Sequence, residues 1–102
     1  MNKELLESKY NLTEEEFVAV NNRLRDFIKL EKKGLISPRC NCKQDSNIKY
    51  FKKTLHSKIK ADRCIKFLER QGGYCNCEIM FNVVPHFDQI KKEINFNEVD
   101  YE

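Results

Sequence analysis

The sequence predicts a mainly α domain with a short β element, a small single domain clamped by a structural zinc site. Three observations predict it. Apolar residues recur at helical spacing in several separate stretches, one stretch near the end alternates at period two, and four of five cysteines fall into two Cys-Asn-Cys triplets. A chain of 102 residues has room for one core. With 40% hydrophobic and 34% charged residues, apolar burial alone leaves that core marginal, so an additional staple is expected.

Residues 2–10 carry Leu5 and Leu6 in a charged context and read as a short helix or a frayed arm. A stronger signal follows at Thr13-Glu14-Glu15-Glu16. Thr with Glu three residues on is a capping box, and three acids complement the positive end of a helix dipole. The helix expected from Thr13 runs about twenty residues. Phe17, Val20, Leu24, Phe27 and Ile28 form one stripe, and Gly34 stops it. After Leu35 to Pro38, Arg39 to Cys42 reads as a tight knuckle. A second helix is expected from Ser46 to Leu55, with Ile48, Phe51 and Leu55 on one face, and a third from Ile59 to Gln71, using Ala61, Cys64, Ile65 and Leu68. Gly72-Gly73 ends it, and Tyr74 to Cys77 forms a second knuckle. Ile79, Phe81 and Val83 alternate, which predicts a half-buried strand over Glu78 to Val84, closed by Pro85. His86 to Ile94 is expected to make a last helical turn or two, and the acidic end 97–102 to be mobile. The chain thus divides into an N-terminal helical segment (1–38), a zinc-clamped helical core (39–84) and an acidic C-terminal segment (85–102).

Zinc takes four ligands in a tetrahedron, commonly as two close pairs from separated pieces of chain. Cys40, Cys42, Cys75 and Cys77 provide two such pairs, so one structural Zn2+ is expected. Rival readings are ordinary buried thiols, a strained or exchanging disulfide, and a zinc site in which His56 or His86 replaces one cysteine. Cys64 lies on the third helix's apolar stripe and is assigned to the core. Glu78, beside a ligand, reads as a surface charge rather than a base.

The net charge of +3 is unevenly spread. Residues 1–38 balance at seven basic and seven acidic side chains, residues 39–70 carry ten basic against three acidic, and residues 71–102 two against six. No apolar run approaches a membrane span and the N-terminal residues lack an apolar leader, so a soluble, cytoplasmic protein without membrane partner is expected. There is no nucleophile elbow, no phosphate-cradling glycine loop and no open zinc signature beside a general base. A closed four-thiolate site builds a fold rather than activating water. The function expected is a non-enzymatic protein-binding module whose partner is a larger protein or nucleoprotein. The alternative is a nucleic-acid-binding regulator using the basic helices of residues 46–71, through Lys49, Lys52, Lys53, Lys60, Arg63 and Lys66, with Lys58 among them; against it, Tyr50 is the only exposed-looking aromatic there. The acidic tail opposes phosphate.

The run Gly72-Gly73-Tyr74-Cys75-Asn76-Cys77-Glu78-Ile79-Met80-Phe81-Asn82-Val83, after Cys40-Asn41-Cys42 and two expected helices, resembles a short bacterial domain-of-unknown-function family. Its hallmark is a Cys-x-His or Cys-x-Cys pair followed by a Gly-Gly-x-Cys-Asp-Cys-Glu-Val-x-x-Asn-Val block. The resemblance covers residues 39–84 and implies metal binding rather than an activity. Asn76 stands where the family has Asp, and Cys42 where a histidine is frequent. In size and composition alone, the chain is also similar to the small inhibitors of phages and mobile elements, anti-CRISPR proteins among them.

Overall fold

The computed structural model describes residues 1–34 and 44–96. The first expected knuckle, with Cys40 and Cys42, and the acidic end 97–102 lie outside the described residues. What is described is mainly helical, and no strand occurs among the described residues.

Helix α1 spans Lys3–Tyr10 and is capped by the Asn2 side chain, which accepts from the Leu5 N–H at 3.1 Å. Asn11 ends it in the left-handed region at φ 54°, a conformation Asn tolerates better than most side chains. It is no frayed arm. Leu6 is fully buried and Tyr10 nearly so, and the Asn2 N–H donates to the Ile94 carbonyl at 2.7 Å.

Helix α2, Glu14–Lys32, starts where the capping box places it: Thr13 Oγ1 accepts from the Glu16 N–H, and Glu16 Oε1 accepts from the Thr13 N–H. Phe17, Val20, Leu24 and Phe27 are buried as the spacing requires, with Ile28 half-buried at the edge. Helix α3, Asp45–Leu55, and helix α4, Lys58–Arg70, form a hairpin. His56 turns the corner at φ 54°, and Ser57 caps α4 by accepting from the Lys60 N–H. Both pack on α2. Cys64 sits in the core as expected, fully buried, with its thiol 3.7 Å from the Glu16 carbonyl oxygen.

The expected strand over Glu78 to Val84 is instead part of a helical rod: α5 (Asn76–Glu78), a π-helical segment (Ile79–Val83) and α6 (Val84–Glu93). The period-two reading failed because Phe81, its middle member, is 80% exposed. The buried residues follow a helical stripe instead: Ile79, Val83, Phe87, Ile90 and Ile94. Two successive four-residue steps overshoot a 3.6-residue turn, and a wider turn takes up the excess. Pro85 adds a second reason. Its ring crowds the carbonyl four residues back and it donates no N–H, so a helix accommodates it most easily where the i→i−4 ladder is already interrupted. Here the Val84 N–H donates five residues back, to Ile79. Pro85 therefore sits in the first turn of α6 rather than ending an element.

The glycine pair before the rod is dictated by this packing. A Cβ on Gly73 would lie 2.7 Å from Val83 Cγ2 and 2.8 Å from Ile79 Cγ1. Gly72 adopts φ +90°, and its carbonyl accepts from Asn82 Nδ2 at 2.8 Å. The rod's far end closes the core: Phe87 stacks on Phe17 with centroids 5.1 Å apart, and Phe96 meets Phe17 edge-on at the same distance.

Candidate metal centre

Cys75 and Cys77 flank the start of the helical rod. Cys75 is the extended residue preceding α5 and is 3% exposed, whereas Cys77 is half-buried in its first turn. The Cys75 thiol donates to Glu78 Oε1 at 3.6 Å. Thiols are the ligand type a soft divalent cation takes. Among the described residues, no three His, Cys, Asp or Glu side chains gather as a complete ligand group. The other two cysteines of the expected set, Cys40 and Cys42, lie outside the described residues.

A buried polar relay holds this knuckle. Asn47, on α3, is fully buried, and its Nδ2 donates both to Asn76 Oδ1 at 2.9 Å and to Gln44 Oε1 at 2.7 Å. Its Oδ1 accepts from Arg23 Nε of α2 at 2.9 Å. Gln44 then donates through Nε2 to the Gly73 carbonyl at 2.8 Å. Each polar atom of the Asn47 amide is thus partnered. The Arg23 guanidinium lies 4.7 Å from the Phe27 ring centre and 4.8 Å from that of Tyr50; burial lowers its pKa. Sequence reasoning missed Gln44, Asn47 and Arg23. The available signal was an Asn on an apolar face: Asn47, Phe51 and Leu55 sit at four-residue steps, and all three are buried.

The histidines lie elsewhere. His56 is the exposed corner between α3 and α4. His86 is exposed on α6 and shares a cleft of about 330 Å³ with Lys9, Tyr10 and Glu93. There Glu93 accepts from Lys9 at 2.8 Å and Tyr10 at 3.1 Å. The Lys9 hydrogen bond lowers the Glu93 pKa and reciprocally raises that of Lys9, while burial raises that of Tyr10.

The basic set divides. Lys49, Lys52, Lys53 and Lys66 are exposed, whereas Lys60 pairs with Glu15 at 2.9 Å and Arg63 with the fully buried Glu16 at 2.7 Å. Lys58 is exposed, and Tyr50 is half-buried against Arg23. Among the described residues, no helix is long and apolar enough to cross a membrane.

The fold and knuckle define a small helical domain built around a Gly-Gly-x-Cys-x-Cys turn. Residues 40–82 match the model of a family described as protein of unknown function (DUF2695). That match begins at the first cysteine of one triplet and ends five residues past the second triplet. No curated protein and no solved structure matches the chain.

Proposed function

We propose that the chain is a non-enzymatic, protein-binding module stabilised by one structural zinc ion held by Cys40, Cys42, Cys75 and Cys77. The observation that carries the metal reading is the relay from Asn76, between the second pair of cysteines, through Asn47 to Gln44. Gln44 follows Cys42 by two residues in the sequence. Zinc at four thiolates would supply cross-linking rather than a reactive water, because the coordination sphere is full. The chain's own residues do the rest: Gln44 and Asn47 fasten the knuckle, and Gly73 admits the rod against α4.

Protein binding is supported by Tyr74 and Phe81. Tyr74 adjoins Cys75 and is 57% exposed, and Phe81 lies on the π segment, so two large rings face outward from the rod's beginning. Exposed aromatics are enriched where proteins dock. The size and composition shared with small phage inhibitors support a role as inhibitor or regulator of a larger bacterial machine, a CRISPR effector being one such machine. Nucleic-acid binding is the second reading, favoured by the exposed Lys49, Lys52, Lys53 and Lys66. Against it, Lys60 and Arg63 are already engaged by acids of α2.

The test begins with elemental analysis of purified protein, where about one zinc per chain is expected. Cys75→Ser should lose the metal together with the circular-dichroism signal of α3 to α5, since zinc binding and folding are one equilibrium in such domains. A metal-free, fully helical wild type would overturn the clamp. Titration with DNA and RNA at two salt concentrations then decides between partners: a steep salt slope would favour the second reading.

A further inference from the structure

We propose that the interface between α2 and α6 holds a binding site for one small hydrogen-bond acceptor, a water molecule or a chloride ion, seated against the Asn21 amide. Leu24 and Ile28 of α2 and Val84 and Phe87 of α6 wall a gap of about 30 Å³ between the two helices. Phe87 is the ring that stacks on Phe17, so the gap adjoins a packed part of the core. Asn21 lines it too. That residue is 1% exposed, and its Nδ2 is buried with no acceptor among the described residues.

An amide N–H shut away from solvent is strongly disfavoured unless something accepts from it. An apolar side chain of similar size at position 21 would line the same gap without that cost. The gap's size narrows what can answer. One water needs roughly 10–15 Å³ of such space and a few polar partners, and 30 Å³ is too small for a metabolite. Arg25, Asp88 and Lys91 complete the lining, with Lys91 Nζ 3.0 Å from Asp88 Oδ1. Two cations beside the Asn21 donor favour an occupant that accepts hydrogen bonds, and Asp88 offers a water an acceptor for its own proton. No cysteine takes part, so the site stands apart from the metal reading.

The test is nuclear magnetic resonance on the isotope-labelled full chain, with water and sodium chloride as the probes. Bound water should give a dipolar cross-peak to the Asn21 side-chain amide protons in the rotating frame, where its sign separates it from proton exchange. Bound chloride should instead shift that amide saturably, while sodium sulfate at equal ionic strength does not. Either signal supports the site, and the absence of both overturns it. Val84→Ile adds one methyl group to the wall and leaves Asn21 in place. With an acceptor bound, the variant displaces it and strands the donor, so the signal should vanish and the melting temperature fall by about 4–8 °C. A dry void would be filled to advantage by the same methyl group. A Val84→Ile protein that melts at or above the wild-type temperature therefore overturns the proposal as well.

Discussion

At the scale of single residues, the clearest contrast is between cysteines. Cys64 is enclosed by the core, and burial, with nearby Glu16 adding to it, pushes its thiol pKa up to about 12. An unfolded chain ionises that thiol from about pH 9, whereas the folded chain holds its proton until about 12. The unfolded state therefore releases the proton first, and this contribution to stability is lost as pH rises from about 9 to 12. Chemical denaturation of wild type and Cys64→Ala across that range should show the difference between them shrinking with rising pH. At neutral pH the variant should cost about 1–2 kcal/mol and, on the zinc reading proposed above, leave metal content unchanged. Loss of metal in Cys64→Ala would move this cysteine from the core into the ligand set. The assignment of Cys64 to the core was legible because its neighbours Ala61, Ile65 and Leu68 repeat at helical spacing, whereas the roles of Gln44 and Arg23 were not. Their partners are 29 and 24 residues away, and no local pattern announces a hydrogen bond that tertiary packing creates.

At the scale of elements, caps and stripes were readable and the rod was not. Thr13 with Glu16 gave the start of α2 because the chemistry that stops fraying is contained in four adjacent residues. The rod's beginning misled because Ile79, Phe81 and Val83 satisfy period two while Ile79, Val83 and Phe87 satisfy a helical step. Only the packing of Gly73 against Ile79 and Val83 decides between them. Glu16 serves two elements at once, completing the cap of α2 and pairing with Arg63 of α4. Breaking a buried pair by removing one partner costs about 3–5 kcal/mol, while an exposed pair contributes about 0–1. Arg63→Ala is therefore expected to destabilise by about 3 kcal/mol, toward the lower end since Arg63 is itself partly exposed, and Lys60→Ala by less than about 1. Urea denaturation of both variants checks this. Equal losses would show that Glu16 is satisfied by its cap alone.

At the scale of the whole molecule, charge and connectivity separate what the sequence segregates. The middle third carries most of the excess positive charge, yet α2 supplies Glu15 and Glu16 to two of its basic residues, so one-dimensional counting overstated the basic surface. One domain was legible from length and composition, because a single cluster of apolar residues runs from Leu6 to Ile94. What the sequence left open was how the ends of that cluster meet. The Asn2 amide bonded to the Ile94 carbonyl, with Lys9 and Tyr10 on Glu93, brings the first helix against the last. Between Asn2 and Ile94 the described chain thus returns to within one backbone hydrogen bond of itself. A circular permutant could join residue 96 to residue 1 by a short linker and reopen the chain at Gly34, leaving each helix uncut and keeping both cysteine triplets in their native order on one uninterrupted stretch.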